Sequence, residues 1–370
     1  MSMLETMKIL QKNRFLLFCL SATTTFVGCS KLYDLPEDRD FISENINYLD
    51  KVIEPVLGRN NLFTSLQADN STLPMQFEIV NARYGDGQPV TDLFTPVETY
   101  QWIAEYDGKE TSLEEIQAKR QRVTRPAFEV DSNGRFILWA EATAEQIAPR
   151  PADTVLRTQD IRFFDLKVSN SGGERLIKDF QVIPWLERPY YPDTDINPYT
   201  GGPAPDPQRP RDTTRQDYII PNYITNVVGQ NTELPLVNNS EKKDIIVYIR
   251  PFTGGNGHNL RFRFMGSDGE YLNPALFNET KWDELVHGFN RKNEEDYVQY
   301  DVAYPIPLTN IRTDYSDGGG TAQIEFAYAR MGFGGVVTLA SFGLNFNIFK
   351  PGDWEIVFHF QNENPKFEDE

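Results

Sequence analysis

The sequence predicts an all-β protein: two β-sandwich domains, immunoglobulin-like or jelly-roll-like, with a few short helices. Three observations carry that expectation. Short alternating apolar runs recur along the chain, separated by Gly, Asp and Asn turns. Aromatic residues make up 13% of the 370 residues, far more than a disordered chain holds and well suited to strand-rich cores. The length that remains after an N-terminal leader suits two domains of ordinary size.

The leader is residues 1–28. Lys8, Lys12 and Arg14 precede an uncharged run from Phe15 to Gly28. Those 14 residues are too short for a membrane-spanning helix, which needs about 20, but they fit a signal peptide. The run closes as Phe26-Val27-Gly28-Cys29, which resembles a bacterial lipobox and makes Cys29 the expected lipidated residue. Translation starts at Met1 or at Met7, whose MKILQKNRF is the more usual leader start. Cys19 leaves with the leader, so Cys29 has no partner for an internal disulfide and reads as an anchor. Several acyl chains at about 0.8 kcal/mol per buried CH₂ hold such a protein to a bilayer.

Residues 29–48 read as a polar tether, and acids at Asp34, Glu37 and Asp38 resemble surface-sorting signals of some lipoproteins. The leader carries a net +2, so the body from Cys29 onward carries −20 against −18 for the whole chain. That charge excludes nucleic acid as a partner.

The first sandwich spans 49–188. In MQFEIVNARYGDGQPV, Phe77 and Ile79 share a face before the turn at Gly85-Asp86-Gly87. Asn133-Gly134 is a hairpin signal. Ser171-Gly172-Gly173 joins two further strands. One helix is expected after a cap at Thr111 or Ser112, with Glu114 and Glu115 in its first turn and Lys119 and Arg120 in its last. Residues 189–217 hold seven prolines and read as a semi-stiff linker. The second sandwich spans 218–370. In NLRFRFMGSDGEYL, Leu260, Phe262 and Phe264 share one face and Arg261 and Arg263 the other; a short helix is expected within 274–289.

EPVLGR (54–59), SLEEIQAKR (112–120), KDFQVIPW (178–185), LVHGFN (285–290), YDVAYPIPL (300–308), GDWEI (352–356) and NPKFEDE (364–370) together resemble a family of Bacteroidota outer-membrane lipoproteins defined only as a domain of unknown function. Its members often accompany uptake systems of the SusC/SusD type. The resemblance implies the outer membrane and a role near ligand capture, and it supplies no catalytic residue.

The residues themselves point the same way. His258, His287 and His359 lack zinc-motif spacing and read as turn or packing residues. No G-x-S-x-G elbow occurs. Paired carboxylates for glycoside hydrolysis stay open, because many acids are available to lie near one another. Asp193, Asp195 and Asn197 alternate like the opening ligands of a calcium loop, but the sixth and twelfth positions counted from Asp193 are Pro198 and Ala204, where an EF-hand needs Gly and Glu. Another oxygen-rich calcium site and plain Asx turns both fit that spacing. Tyr190, Tyr191, Trp185 and Trp282 are candidate sugar-stacking rings; Trp139 and Trp354 sit in strand patterns that favour a core. Asp153-Thr154-Val155 and Asp212-Thr213-Thr214 resemble short O-glycosylation signals, with Thr154 and Thr213 as acceptors.

The expectation is a non-enzymatic, lipid-anchored outer-membrane protein exposed at the cell surface. It binds a glycan or other nutrient as an accessory to a TonB-dependent SusC/SusD-type transporter complex, with calcium the one cofactor its residues suggest. A structural or adhesive protein that binds other proteins is the alternative, and a glycoside hydrolase the third.

Overall fold

The computed structural model describes residues 40–151 and 160–368. The leader, Cys29 and Thr154 lie outside the described residues. The chain is all-β. Its first half contains β1 (Asn47–Tyr48), β2 (Val52–Ile53), β3 (Asn61–Phe63), β4 (Leu66–Gln67), β5 (Gln76–Tyr84), β6 (Pro96–Trp102), β7 (Arg120–Pro126), β8 (Phe128–Val130), β9 (Phe136–Leu138), β10 (Arg162–Asn170) and β11 (Gly173–Val182). The second half contains β12 (Tyr190–Tyr191), β13 (Tyr223–Thr225), β14 (Ile245–Pro251), β15 (Asn259–Met265), β16 (Tyr271–Leu272), β17 (Gly288–Asn293), β18 (Val298–Val302), β19 (Arg312–Thr313), β20 (Ser316–Asp317), β21 (Ala322–Met331), β22 (Val337–Ile348) and β23 (Trp354–Phe360).

In the first half, a sheet ordered β2-β11-β10-β5 packs on a smaller sheet ordered β3-β9-β8. Alternation drives this: Phe164, Leu166 and Val168 of β10 point inward with Phe180 and Val182 of β11, against Phe128 and Phe136. Phe164 stacks on Phe180 at 4.9 Å, and Phe136 meets both edge-on. Each fully buried ring contributes about 1.5–3 kcal/mol. Phe77 and Ile79 pack on this core, as their shared face predicts. The Asn133-Gly134 hairpin joins β8 to β9, with the Asp131 carboxylate accepting the Asn133 and Arg135 amides. The turn from β10 to β11 falls at Ser171–Gly172, where a Cβ on Gly172 would lie 2.1 Å from the Asp40 carbonyl. Only glycine lets the N-terminal segment cross there.

In the second half, the sheet β14-β23-β15-β18-β17 faces the sheet β12-β22-β21-β20-β19. Leu260, Phe262 and Phe264 interleave with Phe326, Phe342 and Phe358 in one core, and Phe264 meets Phe326 edge-on at 4.9 Å. Trp354 is buried here, and Trp139 packs on the first core.

Three local expectations change. The predicted helix exists as α1 (Leu113–Ala118), capped by the Ser112 hydroxyl accepting the Glu115 amide, but Lys119 closes it and Arg120 already begins β7. The helix expected within 274–289 is two 3-10 turns, Pro274–Leu276 and Trp282–Glu284. Between them, the Thr280 hydroxyl and the Asn278 side chain bind the backbone of Ala327 and Ala329, so the segment is tied to β21 as well as turned on itself. Residues 189–217, read as a linker, are stitched to the second sandwich. Tyr190 and Tyr191 pair with Ile348 and Asn347, Ile196 packs on the second core, and Asp217 pairs with Lys243 at 3.0 Å.

A third cluster joins the halves. Tyr106 and Ile116, from the arm β6-α1-β7, are buried with Ala303, while Phe289 and Leu308 pack around them. The Arg120 guanidinium donates to the Tyr304 carbonyl at 2.8 Å. No helix among the described residues is long and apolar enough to cross a membrane.

Candidate functional site

The residues singled out in the sequence do not form one site. Tyr190 is buried in the second core, and its hydroxyl donates to Asp195 at 2.9 Å; it offers no stacking face. Tyr191, next to it on the strand, is exposed. One face of Trp185 is taken by the Arg150 guanidinium at 3.9 Å, and Tyr199 lies 5.3 Å away. Trp282 packs on Phe326 and Phe264, and its carbonyl accepts the Tyr300 hydroxyl. Tyr190 and Trp282 are therefore given over to packing, while Trp185 is half-buried with a guanidinium over one face. Thr213 is exposed in a turn held by the Asp212 carboxylate, which accepts both the amide and the hydroxyl of Thr214.

The acidic triplet also divides. Asn197 accepts the Tyr199 and Thr200 amides in an Asx turn. Asp195 takes the Tyr190 hydroxyl, and burial raises its carboxyl above the ordinary range. Asp193 pairs with Arg188 at 2.9 Å and lies 4.0 Å from Arg59. The loop that reads as cation-binding in sequence thus already holds two cations of its own. Burial, and then the like charge of Arg188, pulls Arg59 down to about 10, still charged at neutral pH. Among the described residues, no group of three or more His, Cys, Asp or Glu side chains is arranged to hold a metal.

A pocket opens where the arm meets the second sandwich, lined by Tyr106, His287, Pro305, Leu308, Thr313 and Tyr315 among others. It is a shallow recess open to solvent, with enclosed room for about one water molecule. Its polar groups are matched. The His287 Nε2–H donates to the Glu110 carbonyl at 2.7 Å, so Nδ1 accepts the Tyr106 hydroxyl, also at 2.7 Å. Burial, and then Glu110, raises the Tyr106 phenol, which keeps it a donor. Tyr315 stacks on His287 at 4.8 Å. Among the described residues, no carboxylate lines this pocket.

The outward face of β14-β23-β15-β18-β17 carries the densest polar construction. Register places Lys292, Gln299, Arg261, Glu355 and Arg250 in one row across five strands. Arg261 is clasped between Phe252 at 3.8 Å and Tyr297 at 4.3 Å; Arg263 lies 4.4 Å from Tyr271 and 5.3 Å from Tyr297. Edges are tied as well. Arg261 donates to Gln299 at 2.6 Å, Arg250 to Glu355 at 2.7 Å, and Arg263 pairs with Asp296 at 3.2 Å. The result is a prearranged aromatic and guanidinium surface. Sequence shows the two arginines on one face but not their rings, which come from positions 252, 271 and 297.

The opposite sheet ends in another kind of surface. At the tip of the β21–β22 hairpin, Met331, Val336, Val337 and Leu339 are more than half exposed, and no charge occurs from 331 to 339.

No curated protein matches this chain. Among solved structures, the N-terminal four Ig domains of Dscam1 isoform 9.44 (with zinc) are similar at 10% identity and a TM-score of 0.17, over 85% of this chain and 51% of that one. The chain thus spans about half the length of that structure, and at such a score the likeness bears on neither fold detail nor function. A family model described as a domain of unknown function (DUF5007) matches residues 66–369, and the chain belongs to that family.

Proposed function

We propose that the protein is a non-enzymatic, lipid-anchored binding component of the outer-membrane surface that presents glycan or another nutrient to a SusC/SusD-type uptake system. The aromatic and guanidinium face of the second sandwich carries this reading. Rings and guanidiniums held in place by one another before any ligand arrives cost little to order on binding. The lipobox-like end of the leader supports the anchor. A glycan array and a pull-down with the transporter, each run beside Tyr297→Ala and Arg261→Ala, test it. Array binding lost in both variants supports the reading; clean negatives in array and pull-down remove it. Replacing Cys29 with Ala is expected to release the protein from membranes, read by fractionation.

A second reading has its own observation. The uncharged, exposed hairpin tip is the kind of apolar patch that marks protein contacts, and it favours a structural or adhesive protein that binds other proteins. Val337→Lys with Leu339→Lys separates the two: loss of the protein partner with glycan binding intact favours adhesion, and no change in this variant beside glycan binding lost in Tyr297→Ala favours capture.

A further inference from the structure

We infer that Arg59 and Arg188 form a binding site for an oxyanion, the carboxylate, sulfate or phosphate group of a small ligand, at the junction of the two sandwiches. This site is separate from the outward face and stands or falls without it. Arg59 lies between β2 and β3, Arg188 lies between β11 and β12, and Phe349 of the second half lies 5.0 Å from the Arg59 guanidinium. Both arginine side chains are more than four-fifths buried.

The charge count is uneven. Two guanidiniums share the single Asp193 carboxylate, which lies 2.9 Å from one and only 4.0 Å from the other. Of the other acids close in sequence, Glu54 pairs with Arg150, Glu187 accepts the Ala144 amide, and Asp195 accepts the Tyr190 hydroxyl through one oxygen while burial raises its carboxyl toward the neutral form. The Arg188 Nε–H is buried and has no partner. A buried donor without an acceptor is costly, and guanidinium forks match planar or tetrahedral oxyanions bidentately. Burial, and then like-charge repulsion from Arg188, lowers Arg59, and a bound anion offsets both. In a chain of net charge −18, such a locally cationic, enclosed pair is the exception that selects acid-bearing ligands.

The test is calorimetric titration of the full body from Cys29 onward, at fixed ionic strength, with inorganic phosphate, sulfate, glucuronate and neutral glucose. Saturable binding of at least one oxyanion and none of glucose is expected; the phosphate and glucuronate arms distinguish a free inorganic ion from an acidic sugar. Arg188→Ala is expected to weaken that binding about tenfold or more, with Arg188→Lys between it and the parent. Asp193→Asn is expected to act in the opposite direction and tighten binding, because it removes the internal competitor. That variant also decides the matter if Arg188→Ala fails to fold. Binding by none of the three oxyanions, or affinity unchanged in Arg188→Ala, or affinity lost in a folded Asp193→Asn protein, overturns the site.

Discussion

The two sandwiches solve burial alike and cover their outward faces differently. On the first, Lys167 faces Glu78 directly across the β10–β5 pair at 3.1 Å, both well exposed. On the second, Arg261 and Arg263 also project from a central strand, but rings at 252, 271 and 297 close over them. A solvated pair spends side-chain entropy for a screened attraction. A guanidinium with its planes covered and edges bonded is fixed in place and dehydrated, so each contact counts for more. The strands are comparable in the two halves. What separates a neutral surface from an organised one is the aromatic residues that flank them.

The largest test of that comparison lies under the faces. Phe164→Ala in the first core and Phe264→Ala in the second each remove a fully buried ring. Each is expected to cost about 3–5 kcal/mol. Urea unfolding followed by fluorescence is expected to show each variant lowering one of two transitions, with the other shifted far less. A single shared transition in both variants would mean that the Tyr106–Ile116–Ala303 cluster and the Arg120–Tyr304 bond lock the halves into one cooperative unit.

On the outer face, Arg263→Ala leaves Glu355 and Asp296 short of a partner and uncovers Tyr271 and Tyr297. A loss of about 2 kcal/mol is expected, and Arg263→Lys is expected to recover little of it, because an ammonium lacks the planar fork. Recovery by lysine would reduce the stack to simple charge pairing and make the second face like the first.

Most of the fold is written locally in the sequence, and most of the candidate chemistry is not. Asn133-Gly134, Ser171–Gly173 and the Ser112 cap involve neighbours within a few residues, so turn and cap rules find them. Alternation likewise assigns Leu260, Phe262 and Phe264 inward and Arg261 outward. Local rules fail where the partner is distant. Asp193 reads as an oxygen ligand because its sequence neighbours bear oxygen, while its first-half contact, Arg59, lies far away in the chain. Prolines in 189–217 announce missing amide donors but not that Ile196 and Tyr190 would be buried. The Thr280 hydroxyl outweighs the helical pattern of 274–289 because β21 offers it an edge, a tertiary event no periodicity reports.

A smaller effect comes from Asp195. Burial raises its carboxyl in the folded state, opposed by the Tyr190 hydroxyl, and one carboxylate oxygen has no partner. The folded protein therefore holds this proton to higher pH than the unfolded chain does. Stability is fullest below the ordinary carboxylate range and declines as pH rises through the raised value. Asp195→Asn keeps an acceptor for Tyr190 and removes the ionisation cost. Its Tm is expected to exceed the parent's by up to about 2 °C at pH 7 and to match it near pH 3. A variant less stable than the parent at neutral pH would show that the charge is wanted there, which is how a bound cation at this loop would announce itself.

The smallest expected effect returns to the first face. Lys167→Ala breaks the pair with Glu78, yet both groups are hydrated before and after. The cost is expected to be barely measurable and to vanish in 1 M salt, where charges are screened over about 3 Å. Arg261→Ala, measured beside it, is expected to cost more and to keep most of its effect in salt, because rings and Gln299 rather than free charge hold that side chain. If the two losses proved equal and equally salt-sensitive, the rings would be bystanders, and the second face would have no better claim than the first to be a binding surface.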